Sequence, residues 1–369
     1  MRKNTQFAEA GRILIIAPTP PAWGGARVSA RLFLDYLESI GIDEYEHISL
    51  PFNCEAHSFQ RYFLRAKSFF YFMKIFVSTQ RYSKIVFFAS RNTGMFYGSL
   101  LTIAGMIWNK SIYIRFFGGH PITSRFLRVP FLNALVLRCL TYSRRLVLQT
   151  NSGASEFPDF LQKKISVIPG YRPTTPFKRI RATSLNNSKN MIRFVFVGNL
   201  SREKGVELIL DAFVCFEDRL HKSTFATIDL FGYGDQQILK KYEMVDSITY
   251  HGSVENIKLR EQLPQYDILV FSSVYENEGH PGVLIEAMMA GLAIIASSST
   301  PSVLEVITHQ INGLIVPPGN VDSLSSAMEL LTSNHTLREA LGEKALQDSE
   351  QYRSDVVLPR MARIFGLID

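Results

Sequence analysis

Short apolar runs that end in turn-forming residues, each followed by a helical stretch, recur along this chain and constrain its fold more than any other feature. The first is Arg12-Ile-Leu-Ile-Ile-Ala17, which runs into a Pro/Gly loop and then an amphipathic helix over about 26–40. Further runs lie at Ile85–Phe88, Ile112–Phe116, Leu146–Gln149 and Ile165–Ile168. They are nearly continuous in apolar residues rather than alternating, as strands of a parallel sheet covered on both faces must be. A polar, basic segment at 174–190 reads as a linker, after which the pattern restarts. Strands are expected at Arg193–Val197, Ala226–Phe231, Ile248–His251, Ile268–Phe271, Ala293–Ala296 and Gly313–Val316, with helices between them. The fold class is therefore α/β, with two Rossmann-like doubly wound domains facing across an inter-domain cleft. The expected domains are 1–173, 191–350, and a C-terminal helix within 351–369 that could cross back to the first domain. At 369 residues and 46% apolar, the chain is large enough for two cores.

Charge is divided unevenly. Residues 1–180 hold 24 Lys/Arg against 9 Asp/Glu, whereas 181–369 hold 16 against 24. From Ala56 to Ser155 there are 14 Lys/Arg and no acid. Within that span, Gln60–Val77 mixes aromatics with cations, which suits an amphipathic helix on an anionic membrane surface. A core helix whose cations reach out to solvent fits the same pattern. No nucleic-acid reader motif accompanies the charge, so nucleic acid is not an expected partner. The apolar stretch Met95–Trp108 is too short to span a bilayer, and the first residues do not read as a signal peptide. Cys54, Cys139 and Cys215 lack metal or disulfide spacing and read as buried, reduced thiols of a cytoplasmic protein.

The chemistry concentrates at strand ends. Glu278 and Glu286 lie eight residues apart in Glu278-Gly-His-Pro-Gly282-Val283-Leu-Ile-Glu286-Ala-Met-Met-Ala-Gly291. Turn formers fill the first half; the second reads as a helix starting near Gly282. Its amino terminus offers free N–H groups to a phosphate, and a carboxylate one turn in can accept hydrogen bonds from a ribose diol. A solvated helix charge and a loop charge are the plain alternative. Gly198-Asn-Leu-Ser-Arg202-Glu-Lys204-Gly205 follows a strand and carries two cations, a phosphate grip or a solvated basic loop. Gly232 and Gly252 close two further strands, where backbone could approach a base. In the first half, Gly24 and Gly25 open a helix, and His120 sits in Gly118-Gly-His-Pro. No DxD, HExxH or clustered Cys/His spacing occurs, so neither a metal nor another cofactor is expected.

Taken together, these residues resemble the GT-B glycosyltransferases, and within them the retaining enzymes of glycosyltransferase family 4. The resemblance spans about Phe194 to Asn320 and includes the Gly198–Gly205 loop, Phe231-Gly-Tyr-Gly-Asp235, Tyr250-His-Gly252, the Glu-x7-Glu helix and Asn312-Gly-Leu-Ile-Val-Pro-Pro-Gly-Asn320. It implies a nucleotide-sugar donor held by the second domain. Lys204 and the amides of Gly282 and Val283 would bind the diphosphate, Glu286 the ribose, and Glu278 the transferred sugar near the reacting centre. His120 would touch sugar or acceptor, and Gly24 and Gly25 the acceptor or diphosphate. The family often has Arg after the glycine at position 198; this chain has Asn199, and Arg202 is the sequence's candidate replacement. The implied activity is transfer of a hexose from a UDP- or GDP-sugar to a saccharide acceptor, lipid-linked, in bacterial surface polysaccharide assembly at the inner face of the cell membrane. A nucleotide-sugar epimerase or hydrolase of the same fold, and a non-catalytic sugar-nucleotide-binding partner protein, are the alternatives.

Overall fold

The computed structural model describes residues 12–19, 24–49, 69–119, 129–174, 191–220, 224–275 and 278–369. The chain divides into two compact units. The first comprises Met1–Pro169 and Val357–Asp369; the second is Gly170–Val356. Residues 175–190 of the expected linker lie outside the described residues.

The first unit is built on a six-stranded sheet of β1 (Ile13–Ile16), β2 (Tyr45–Ile48), β3 (Lys84–Ser90), β4 (Ser111–Phe117), β5 (Arg145–Leu148) and β6 (Ile165–Val167). Every neighbouring pair is parallel, in the order β2-β1-β3-β4-β5-β6. Because side chains alternate along a strand, both faces must be covered. Leu14, Ile16, Ile85, Phe87, Ile112 and Ile114 enter one core. Phe88 turns to the other face and meets the rings of Phe33 (5.3 Å) and Phe365 (6.0 Å). Phe365 follows the helix Ser354–Ile364, so this cluster joins the start of the unit's sequence to its end. The aromatic, basic stretch supplies a helix over 69–78. Phe72 and Ile75 are buried in it, and Phe70, Tyr71 and Val77 are exposed. Residues 60–68 of that stretch lie outside the described residues.

The second unit carries β7 (Met191–Val197), β8 (Phe225–Phe231), β9 (Ile248–Tyr250), β10 (Ile268–Phe271), β11 (Ala293–Ser297) and β12 (Leu314–Val316). Their order is β12-β11-β10-β7-β8-β9, again all parallel. Counted from β7 and read from the β9 edge, this is 3-2-1-4-5-6, the Rossmann order, with its switch point between β7 and β10. Phe194, Phe196, Ile268 and Val270 enter one core, while Val195, Leu269 and Phe271 enter the other. The helix Gly282–Ala290 lies in that other core with Leu284 through Ala290 all buried.

Two sequence expectations change. Cys139 is buried as expected, but Cys215 is exposed: it lies between buried Phe213 and Phe216 on the outward side of the helix Val206–Glu217. Helical periodicity overrides the apolar neighbourhood that suggested burial. Cys54 lies outside the described residues. Strand β2 is an addition, since its Tyr-Glu-His-Ile sequence is half polar, as an edge strand tolerates.

Candidate functional site

The switch point of the second sheet is where the loops after β7 and β10 meet. Gly205, at the end of the β7 loop, has φ +69, and a Cβ there would lie 2.0 Å from the Ser272 carbonyl oxygen. Only glycine lets the two backbones approach this closely. Val274 N–H donates to Glu203 O (2.8 Å), fixing the register of the two loops. Lys204 Nζ forms an ion pair with Glu278 Oε1 across this junction. Ser273 Oγ donates to the same carboxylate oxygen (3.0 Å), and Ser302 Oγ to the Glu278 backbone oxygen (2.8 Å). The side chains of Lys204 and Glu278 are 27% and 12% exposed. The ammonium also lies 5.4 Å from the centroid of the Tyr275 ring.

The ends of β7, β8 and β9 are stitched together by backbone contacts. Gly198 N–H donates to Phe231 O (2.9 Å), and Gly232 N–H to Gly252 O (2.8 Å). A Cβ on Gly232 would come within 1.7 Å of Gly198 O, whereas nothing lies within 4 Å of the corresponding position on Gly252. The three glycines of the sequence reading are thus neighbours at one sheet end, with open space above Gly252.

The helix Gly282–Ala290 begins beyond β10. Leu284 and Ile285 N–H both point to Pro281 O, while the N–H groups of Gly282 and Val283 take no acceptor among the described residues. Such a terminus favours an anion. One turn further, Glu286 is only 3% exposed. Its Oε1 accepts from Arg172 Nε (2.8 Å) and Asn256 Nδ2 (3.1 Å). Arg260, also buried, donates to Pro173 O (3.0 Å). Burial pulls the Arg260 guanidinium below its ordinary value; Glu286 acts in the opposite sense, and Arg172 adds to the lowering. The plain reading of Glu286 as a solvated helix charge does not hold.

Arg202 is placed elsewhere. Its side chain is 86% exposed and reaches Glu207 Oε2 (3.4 Å), in the first turn of the next helix. The short helical turn Arg202–Lys204 sends consecutive side chains in different directions, so only Lys204 meets Glu278. Gly24 and Gly25, in the first unit, open the helix Gly25–Ser39 beyond β1, and Gly24 O accepts from Arg27 and Val28 N–H (3.0 Å each). His120 lies outside the described residues. Arg115, five residues earlier on β4, is fully buried and clamps Leu148 O, Ile168 O and Pro169 O at 2.6–3.0 Å. Among the described residues, no cluster of three His, Cys, Asp or Glu could hold a metal ion.

Sequence reasoning missed Arg172, Asn256 and Ser273. The three residues are distant in sequence from the carboxylates they serve or carry no local pattern, so folding alone brings them in. His280, within the Glu-x7-Glu segment, is a further addition: its Nδ1 accepts from Gly170 N–H (3.3 Å), and its ring meets Tyr352 edge-on (5.9 Å).

The fold is that of the GT-B glycosyltransferases. The structure of HepE from Anabaena, solved with UDP, superposes with a TM-score of 0.71 at 14% identity, covering 97% of this chain and 100% of that one. Residues 177–348 match the family described as glycosyl transferases group 1. That region contains the Lys204–Glu278 pair, the three glycine loops and the whole helix that carries Glu286. An uncharacterized glycosyltransferase of Methanocaldococcus jannaschii is 27% identical over 193 residues, 51% of this chain and 47% of that protein. The amylovoran biosynthesis glycosyltransferase AmsK of Erwinia amylovora is 25% identical over 148 residues, 37% of this chain and 35% of that protein. The chain thus spans about half or less of these curated relatives.

Proposed function

We propose that this protein is a retaining glycosyltransferase that moves a hexose from a UDP- or GDP-sugar onto a saccharide acceptor. The observation that carries the reading is the Lys204–Glu278 pair at the switch point, next to a helix whose first N–H groups have no acceptor among the described residues. In this reading Lys204 and the amides of Gly282 and Val283 hold the diphosphate, and Glu286 the ribose. The backbone at Gly198, Gly232 and Gly252 borders the nucleotide, and Glu278 lies against the transferred sugar. The bond from the anomeric carbon to the diphosphate oxygen breaks, and the acceptor hydroxyl forms the new bond on the same face. Its proton leaves to the departing phosphate. The fixed cation and helix terminus offset the charge that develops there, a contribution of the kind that often dominates catalysis. No metal enters this scheme.

The acceptor is a lipid-linked saccharide of bacterial surface polysaccharide assembly, met at the inner face of the cell membrane. The AmsK relative supports the polysaccharide part. The exposed Phe69, Phe70, Tyr71 and Val77 on the helix over 69–78, with exposed Lys74 among them, support contact with an anionic surface. No helix among the described residues is long and apolar enough to cross a membrane.

A thermal-shift series with UDP, GDP, ADP and their sugars identifies the donor, because a ligand that binds the folded state raises its melting temperature. Incubation of that donor with and without lipid-linked saccharide extracts then tests transfer. Donor consumed only with acceptor, with the anomeric configuration kept in the product, is the expected result. Consumption of donor alone would make the protein a hydrolase or epimerase instead. Co-sedimentation with anionic but not neutral vesicles is expected, and no anionic preference would end the membrane part.

A further inference from the structure

A carboxylate buried in an otherwise apolar helix needs a fixed partner, and Glu286 has one in a residue from a distant part of the sequence. We propose that Arg172 is a positioning residue of the nucleotide site: with Asn256 it occupies Glu286 Oε1 and so presents Oε2 to the ribose hydroxyls of a nucleoside diphosphate. The proposal rests on the reading of Glu286 as the ribose acceptor.

Three observations carry it. First, Oε1 takes two donors, Arg172 Nε at 2.8 Å and Asn256 Nδ2 at 3.1 Å, whereas Oε2 takes none among the described residues. A carboxylate accepts at both oxygens, so the carboxylate retains acceptor capacity for a diol. Second, Arg172 is held from both sides. Its N–H donates to Tyr352 O (3.0 Å), its carbonyl accepts from Ser354 N–H (2.9 Å), and its Nη1 donates to Tyr171 O (2.9 Å). Third, the helix start is shaped around the guanidinium. A Cβ on Gly282 would fall 1.2 Å from Arg172 Nη2 and 2.7 Å from Nε. The glycine therefore makes room for the group that fixes the carboxylate, and the planar guanidinium fills that room in one orientation.

A merely structural ion pair and a positioning one differ in what they do to ribose selectivity. The test is calorimetric titration of the full chain with UDP and 2′-deoxy-UDP, and with GDP and 2′-deoxy-GDP. Wild type is expected to prefer the ribonucleotide of its own base by about tenfold or more, the scale of a hydrogen bond to a charged group. Glu286→Gln is expected to reduce that ratio sharply. Arg172→Met should bring it to within about twofold, Asn256→Ala should lower it less, and Arg172→Lys should retain part of it. Adding Arg172→Met to Glu286→Gln should change the ratio no further, since the two act as one unit. That double variant removes both charges of the Arg172–Glu286 pair and serves as the folded comparator should Arg172→Met fold poorly. The Arg172→Lys and Asn256→Ala variants then carry the result. Equal weakening of ribo- and deoxyribonucleotide in the Arg172 and Asn256 variants, with the ratio kept, would overturn the inference. A ratio unmoved by Glu286→Gln would instead overturn the ribose reading itself.

Discussion

Removing Glu278 should strengthen nucleotide binding while abolishing transfer. The Lys204 ammonium is committed to Glu278 Oε1, so a diphosphate must compete with a carboxylate for its cation. Two unit charges in contact near a protein surface attract by about 4 kcal/mol at an effective dielectric near 20. Solvent reaching the 27% exposed lysine and the desolvation of both groups offset most of that. A net release of about 1–2 kcal/mol remains, equivalent to about 5–30-fold in affinity. Glu278→Ala also removes a negative charge from beside the diphosphate, which acts in the same direction. Transfer should fall by about 100-fold or more, the scale of losing one preorganised electrostatic contact at a reacting centre. The assay is titration with UDP and GDP alongside single-turnover transfer, with melting curves as the fold control. A Glu278→Ala protein that melts like wild type yet binds the diphosphate no more tightly would refute the claim that Glu278 competes for Lys204.

Other substitutions test neighbouring parts of the same geometry. Lys204→Ala should cost diphosphate affinity about tenfold or more in the same titration, because the cation paired with Glu278 across the switch point is lost. Arg202→Ala should leave that affinity within about twofold and stability within about 0.5 kcal/mol, since its side chain faces solvent and Glu207. Gly282→Ala should destabilise the fold by about 1–2 kcal/mol in thermal melts, although Gly→Ala in a helix ordinarily gains up to about 1 kcal/mol. The new methyl must displace the whole guanidinium of Arg172 from Glu286. Gly232→Ala should cost about 2–3 kcal/mol by denaturant unfolding, because its Cβ meets the rigid backbone oxygen of Gly198 rather than a side chain that can swing away.

The two sheets were legible because buried parallel strands leave uninterrupted apolar runs, and most boundaries fell within a residue or two of the observed ones. Strand β2 escaped because an edge strand buries little and Tyr45-Glu-His-Ile carries no such run. The order of the strands was not legible, since no local pattern says that β7 lies beside β10. Within the site, the Glu-x7-Glu spacing and the Lys204 loop stood out because each combines charge with a helix start. Which of Arg202 and Lys204 meets the acid depended on the direction of a single turn. Arg172 was invisible: it lies 114 positions from Glu286 in sequence, and a lone arginine after Pro169-Gly170 has no periodicity to betray a buried partner.

The aromatic cluster of Phe33, Phe88 and Phe365 has a consequence for how the chain is made. The second unit, Gly170–Val356, is a continuous insertion in the first, whose remaining piece, Val357–Asp369, follows it. During synthesis the whole inserted unit is therefore translated before Phe365 exists to cover Phe33 and Phe88. The unit that begins first is the one completed last. Its exposed sheet face must wait, without its final aromatic, through the synthesis of an entire second domain.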